Sequence, residues 1–284
     1  MKVERHYTRF LEDKKRFEND AQDQITNLES DLYDRWIRNE LRTLGTNVNS
    51  SFNRICKLLL FCPDEGSKLV SDLLFHWKIM AQNYYALAYS IGEEIELKFK
   101  GTRIKSVGKR QALYTSYPSW SKAFFVFTFL RNRVGQSIML SVKMEHFQYS
   151  EVEDFKLNLI IVEIFQALTK KGEGLDFLFT EARKWSRPEM QKSEIRNTYV
   201  QHILVPFIDC LEVLLLKDEE MFNERLHRAL LKHKEFYGSE DLCDDYDGWV
   251  SWPLLALCCL AYDEDMKIIV ESEYIPCWMY TNDY

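Results

Sequence analysis

The chain is expected to be mainly α-helical, an irregular antiparallel bundle or solenoid of about ten helices with one small β-hairpin. Three observations predict this. Turn formers are scarce: 10 Gly and 6 Pro in 284 residues is about half their usual share or less, which argues against a many-stranded fold. Apolar residues recur at helical spacing along most of the sequence. One short stretch, Glu94–Phe99, instead alternates strictly between charged and apolar residues, the period of a half-buried strand. Apolar residues make up 46 % and aromatics 14 %, enough for a sizeable core.

The elements follow in order. Tyr7, Phe10, Leu11 and Phe17 open a helical stripe, and Leu28, Leu32, Trp36 and Ile37 begin another. Phe52, Ile55, Leu58 and Leu59 continue it until Pro63, which stops a helix. Leu69, Leu73, Trp77, Met80 and Tyr84 define a long amphipathic helix over 67–91, with Gly92 as its C-terminal cap. The hairpin comes next, turning near Gly101 and returning through Ile104 and Val107. A lone hairpin is marginal in water, so it is expected to lean on helices or to recruit a third strand, for which Lys267–Glu271 is the candidate.

Helical spacing returns at Trp120, Phe124, Phe127 and Val134. Residues 150–169 are apolar nearly all round, as central helices are, and Gly172 and Gly174 end them. A short helix over Leu175–Trp185 follows, then one over 198–216 through Val200, Leu204, Phe207, Leu211 and Leu214. Asp218 reads as an N-cap, with Glu219 and Glu220 in a first turn that suits negative charge. That helix runs to Gly238. An acidic loop over 239–247 leads to the last helix, Trp249–Tyr262, with Pro253 in its first turn.

Charge is the main functional signal. Residues 239–284 carry eleven carboxylates and one base, Lys267, for a net charge of −10; the whole chain is −7, so residues 1–238 sum to +3. The acidity is interleaved with Trp249, Trp252, Tyr262, Tyr274 and Trp278. A surface both acidic and aromatic suits a basic partner. Trp252, inside an apolar run, is expected in the core, while Trp278 near the terminus is the more open to a contact role.

Catalytic and cofactor motifs are missing from the sequence. It has no G-x-x-x-x-G-K-[ST], G-x-G-x-x-G or G-x-S-x-G. No two of His6, His76, His146, His202, His227 and His233 stand as H-x-x-x-H, and the seven Cys show no C-x-x-C. No cofactor or metal is expected. The cluster Asp241, Asp244, Asp245 and Asp247 lies between Gly238 and Gly248 in a predicted loop, not on converging helix faces where paired aspartates hold magnesium and diphosphate. It reads as a solvated loop or a partner-binding loop. Lys98, Lys100, Arg103, Lys105, Lys109 and Arg110 gather on the hairpin, but the sequence pI near 5.5 argues against nucleic acid. The longest apolar runs, Ala123–Leu130 and Pro253–Tyr262, fall short of the ~20 residues a membrane span needs. The charged N-terminus is not a secretory signal, and a cytoplasmic location is expected, with thiols packed as small apolar groups.

A series of residues carries a resemblance. Phe222-Asn223, Ala229-Leu230, His233-Lys234, Asp247-Gly248-Trp249, Ser251-Trp252-Pro253-Leu254-Leu255-Ala256-Leu257, Leu260-Ala261-Tyr262 and Glu271-Ser272-Glu273-Tyr274-Ile275-Pro276 occur in that order. The pattern resembles bacterial immunity proteins of polymorphic toxin systems, closest to the immunity protein 49 family. The hairpin, Trp120 and Arg131-Asn132 are similar to that family's middle section. The likeness covers roughly residues 90–284, which divides the chain into an N-terminal helical region, 1–92, and an immunity-like region with the small β element, 93–284, expected to form one continuous domain. A glycine is expected just before the last strand, where this chain has Asp265-Met266.

The resemblance implies a protein without catalysis that binds and neutralises a cognate toxin. A nuclease, with a basic substrate cleft, is a toxin class that an acidic surface would suit. The candidate partner-binding residues are Glu240, Asp241, Asp244, Asp245 and Asp247, with Asp263, Glu264 and Asp265 as a second cluster. The alternative function is a helical adaptor or scaffold holding a peptide or protein partner.

Overall fold

The computed structural model describes residues 1–6, 11–29, 41–61, 68–99, 101–111, 113–147, 155–170 and 172–281. In chain order its elements are strand β1 (Lys2–Val3), helices α1 (Leu11–Glu29), α2 (Leu41–Leu59) and α3 (Lys68–Tyr89), strands β2 (Glu94–Phe99) and β3 (Thr102–Val107), helices α4 (Tyr117–Phe129), α5 (Arg133–Leu140), α6 (Met144–Phe147), α7 (Lys156–Thr169), α8 (Leu175–Trp185), α9 (Glu194–Tyr199), α10 (Val205–Leu216), α11 (Glu219–Tyr237) and α12 (Trp252–Asp263), strand β4 (Glu271–Ser272) and helix α13 (Cys277–Thr281). The fold is mainly α, as expected. The expected stripe residues Tyr7, Phe10, Leu32, Trp36 and Ile37, together with Cys62, Pro63 and Lys100, lie outside the described residues. The chain forms two compact units: an N-proximal unit, Arg9–Asp154, and a C-terminal unit of Met1–Thr8 with Phe155–Asp283. The boundary expected at residue 92 falls inside the N-proximal unit, between α3 and β2.

In the N-proximal unit α1, α2 and α3 pack on one another. Leu44, Val48, Phe52, Ile55 and Leu59 of α2 are buried at spacings of three and four, the stripe that drives the pairing. Gly45 allows close approach: a Cβ there would stand 2.8 Å from the Tyr84 ring on α3. The core is aromatic, with Trp77, Tyr84, Tyr85, Trp120, Phe125, Phe127 and Phe129 fully buried. All but one of their polar ends find backbone partners: Trp120 Nε1 donates to Met139 O at 2.9 Å, Tyr85 Oη to Ser119 O at 3.1 Å and Tyr84 Oη to Leu113 O, whereas Trp77 Nε1 has none among the described residues.

The hairpin is present with a two-residue turn, since Phe99 stands opposite Thr102. Gly101 takes φ +80°, the left-handed value such a turn asks of glycine. The hairpin leans on α3 through buried Leu97 and through Asn83 Nδ2, which donates to Lys98 O at 3.4 Å. Of its basic cluster, Lys105 pairs with Glu94 at 2.9 Å and Arg103 with Glu96 at 3.4 Å.

The C-terminal unit is built around α7, α10, α11 and α12. Helix α7 buries Leu157, Ile160, Ile161, Val162, Ile164 and Phe165, as its all-round apolarity predicts. The helix expected over 198–216 begins earlier, at Glu194, where the Ser193 hydroxyl accepts from Arg196 N. It passes through a π-helical turn, Val200–Leu204, in which Val205 N–H reaches Val200 O. Pro206 accounts for that turn: it has no N–H and its ring would clash with the carbonyl four residues back in a regular helix. The joined helix Glu194–Leu216, 23 residues with an 18-residue stretch of mean hydropathy 1.6, is longer than any apolar run seen in the sequence. By length and composition it could cross a membrane, but it buries Val200, Leu204, Phe207, Ile208, Leu211 and Leu214 inside the unit, as the core helix of a globular unit does.

Asp218 caps α11 as predicted, accepting from Met221 N at 2.9 Å. Helix α12 starts at Trp252, three residues later than expected. The Ser251 N–H is already committed to Tyr274 O at 2.9 Å, and Pro253 stands in the first turn.

The candidate third strand does not join the hairpin; among the described residues each sheet has two strands. Glu271 and Ser272 pair instead, in parallel, with Lys2 and Val3. The backbone just before them is taken by side chains of α11. Asn223, almost fully buried, donates from Nδ2 to Lys267 O at 2.8 Å and accepts from Ile269 N at Oδ1, also at 2.8 Å. Glu219 Oε2 accepts from Lys267 N at 2.8 Å. A segment whose donors and acceptors are spent on a helix cannot serve a ladder.

Asn223→Ala leaves the Lys267 carbonyl and the Ile269 amide without these partners. It is expected to lower unfolding free energy by about 2–4 kcal/mol, measured by urea denaturation. A change below about 0.5 kcal/mol would contradict this account of the segment.

Candidate partner-binding surface

The first acidic cluster sits on a loop whose backbone is held from below by buried polar side chains. Helix α11 ends at Tyr237, and successive turns carry the chain over 239–245 into a short 3₁₀ turn, Tyr246–Gly248. His233, fully buried in the last turns of α11, donates from Nε2 to Gly248 O at 2.9 Å. Gly248 is required for close approach: a Cβ there would lie 2.3 Å from the Tyr237 ring. The second anchor comes from the N-terminal strand. His6 Nε2 donates to Cys243 O at 3.2 Å, Tyr274 Oη donates to His6 Nδ1 at 2.8 Å, and His6 N–H donates to Tyr274 Oη at 2.9 Å. Arg5, also buried, donates to Glu273 O.

The two imidazoles and the Tyr274 phenol are neutral for a physical reason. Burial holds His233 down at about 4, with the Gly248 carbonyl opposing and the nearby His6 and Arg5 adding to the fall. Burial likewise lowers His6, against the bond to the Cys243 carbonyl. Burial pushes Tyr274 up to about 12. His233 is thus a core hydrogen-bond donor.

Above this base Glu240, Asp241 and Asp244 are exposed, while Asp245 and Asp247 are half-buried. Asp245 turns inward to accept from Asp247 N at 2.9 Å. Burial raises both Tyr199 and Tyr237, and the nearby Asp247 charge adds to the rise. Three of the five loop acids therefore face solvent freely.

The second cluster, Asp263, Glu264 and Asp265, is exposed at the far end of α12. Glu264 forms an ion pair with Lys217, the residue preceding the cap of α11. Asp265 takes φ +61°, a left-handed conformation usual for glycine and tolerated by aspartate. This is the position where the resemblance leads one to expect a glycine. The two clusters do not meet. One lies beyond the C-terminal end of α11 and the other beside its N-terminal end, about 28 Å apart along a 19-residue helix.

The aromatic part of the expectation is corrected, except at Trp252, which lies in the core as expected. Trp249, Trp252, Tyr274 and Trp278 are all buried, Trp278 included despite its place near the terminus, and only Tyr262 is exposed. Each belongs to the core because its segment docks: Trp249 beside Gly248, Tyr274 on His6, and Trp278 on α13, which packs against α12. The exposed apolar residues lie elsewhere. Leu215, Leu216, Met221 and Ile269 were missed by sequence reasoning. The signal was available for two of them: Leu215 and Leu216 fall off the Leu204, Phe207, Leu211, Leu214 stripe. Among the described residues, no group of three or more His, Cys, Asp and Glu is placed to hold a metal ion.

The arrangement is that of a mainly helical unit with exposed carboxylates on loops whose backbone is hydrogen-bonded to buried side chains. The model of the immunity protein 49 family matches residues 68–279, most of the chain, and the protein belongs to that family. The match reaches back to include α3, further than the likeness read from residues 90–284. Comparison with curated proteins and with solved structures returned no match.

The neutral His233 makes the C-terminal unit acid-sensitive. Unfolded, the ring takes a proton near pH 6.5; folded, it does so only near 4. The unfolded state therefore binds more protons between these values, and stability falls as pH drops through that window. A loss of about 3 kcal/mol between pH 7 and pH 4 is expected from this group, measured by urea denaturation across pH. His233→Gln, whose amide can donate to the same carbonyl, is expected to flatten that slope. An equal slope in both proteins would contradict the assignment.

Proposed function

We propose that this chain is a stoichiometric, non-catalytic inhibitor that binds a cognate toxin of a polymorphic toxin system in the cytoplasm and blocks it sterically. The observation that carries this reading is the family match over residues 68–279. The charge distribution supports it in kind, since residues 239–284 hold net −10 in a chain of −7. Exposed Glu240, Asp241, Asp244, Asp263, Glu264 and Asp265 give the C-terminal unit a negative potential at both ends of α11. Such a field accelerates encounter with a basic protein, and the basic cleft of a nuclease toxin is one surface that meets the description. No membrane, nucleic acid or cofactor is required by this mode of action.

Co-expression with the toxin encoded by the adjoining gene tests the proposal. Cells are expected to survive only when this chain is present, and the two proteins to co-purify. Reversing Asp241 and Asp244 to Lys is expected to slow association about tenfold at low salt and to reduce its salt dependence, with dissociation little changed. Death of cells that express both proteins would overturn the inhibitor reading. An unchanged association rate would remove the loop carboxylates from it.

A further inference from the structure

One hollow belongs wholly to the N-proximal unit. Phe52 of α2, Trp77 and Tyr85 of α3, and Tyr114 before α4 give it aromatic walls. Its polar side chains are Asn49 of α2 with Ser119 and Lys122 of α4, three residues apart on one face of that helix. Asn49, Tyr114, Ser119 and Lys122 are half-buried, and the hollow opens to solvent among them. It encloses about 280 Å³ of empty space, mouth included. That is below the roughly 300–1,000 Å³ of sites for drug-sized ligands, so only a small molecule fits.

Three features of this hollow bear on a ligand. The first is a spare donor. Trp77 is 1 % exposed, and its Nε1 has no hydrogen-bond partner among the described residues. The neighbouring polar ends are spent: Tyr85 Oη donates to Ser119 O at 3.1 Å, and the indole of Trp120 donates to Met139 O at 2.9 Å. A buried donor left over in a core that satisfies the others calls for an acceptor from outside the chain.

The second feature is charge. Among the described lining residues Lys122 is the one charged group and there is no carboxylate. The Lys122 ammonium stands over the Phe52 ring, 5.3 Å from its centroid, so it is held at the hollow. The third is backbone strain. Tyr114 takes φ +56°, uncommon for an aromatic residue, and strain of this kind gathers at ligand sites.

An acceptor that carries negative charge answers both the indole N–H and the ammonium. We infer that this hollow is a binding site for a small monocarboxylate, whose oxygens accept from Trp77 Nε1 and lie in the field of Lys122. The site is independent of the inhibitor reading, and no toxin is needed to test it.

Nuclear magnetic resonance of the ¹⁵N-labelled full chain reads the indole N–H of Trp77 directly. Trp77→Phe assigns the signal by its loss. If that variant does not fold, nuclear Overhauser contacts to side chains of α2 and α4 assign it instead. Sodium acetate is the probe, with sodium chloride at equal ionic strength as reference. Acetate is expected to shift the Trp77 signal saturably, with a Kd of about 1–10 mM. Acetamide, of the same size but neutral, is expected to bind at least about tenfold more weakly. Lys122→Met keeps the stem over Phe52 and is expected to raise the Kd for acetate at least about tenfold. No saturable shift with acetate, or a shift that sodium chloride reproduces, overturns the inference. So does equal binding of acetamide, or an unchanged Kd in Lys122→Met. A resident water on the indole N–H that acetate does not displace makes the hollow a hydration site and also overturns it.

Discussion

Helix α11 is fixed at both ends by a buried, neutral side chain that donates to the backbone of another segment, and much of the C-terminal unit depends on this. Near its start Asn223 bridges Lys267 O and Ile269 N; near its end His233 holds Gly248 O. The two are ten residues apart, about 15 Å along the axis. A buried polar group without its partner is costly, so each bond specifies where an otherwise irregular segment runs. One of those segments leads into the acidic loop. The other leads out of the second acidic cluster.

The consequence is that charge is carried on a rigid base. The core of the unit takes the apolar residues of α7, α10 and α12, and also Trp249, Trp252, Tyr274 and Trp278. The carboxylates that remain outside sit on backbone already immobilised by hydrogen bonds from His6, His233, Asn223 and Glu219. Preorganisation of this kind lowers the ordering cost of association.

Much of this was legible in the residues. The Asp218 cap, the run of α11 to Gly238, the hairpin with Gly101 at its turn and the central position of α7 all follow from local pattern, because each is decided by neighbours within a few positions. What the pattern did not contain were the contacts made far along the chain. Lys2 and Val3 pair with Glu271 and Ser272, and no local signal marks a strand of two residues. Lys267–Glu271 carries Ile268, Ile269 and Val270, residues that favour strands, yet its backbone is spent on Asn223 and Glu219, a use invisible in composition. The acidic residues looked like one surface because they are close in sequence; helix α12 lies between the clusters and carries them apart. Pro206 lies inside the helix expected over 198–216, and whether a proline there breaks, kinks or widens the turn depends on packing.

Hydrogen exchange of the full chain addresses the central claim most directly. The account predicts that Asn223→Ala speeds amide exchange at Ile269, whose N–H donates to Asn223, far more than in the hairpin Glu94–Val107. Exchange at Ile269 as slow as in the wild type would contradict it.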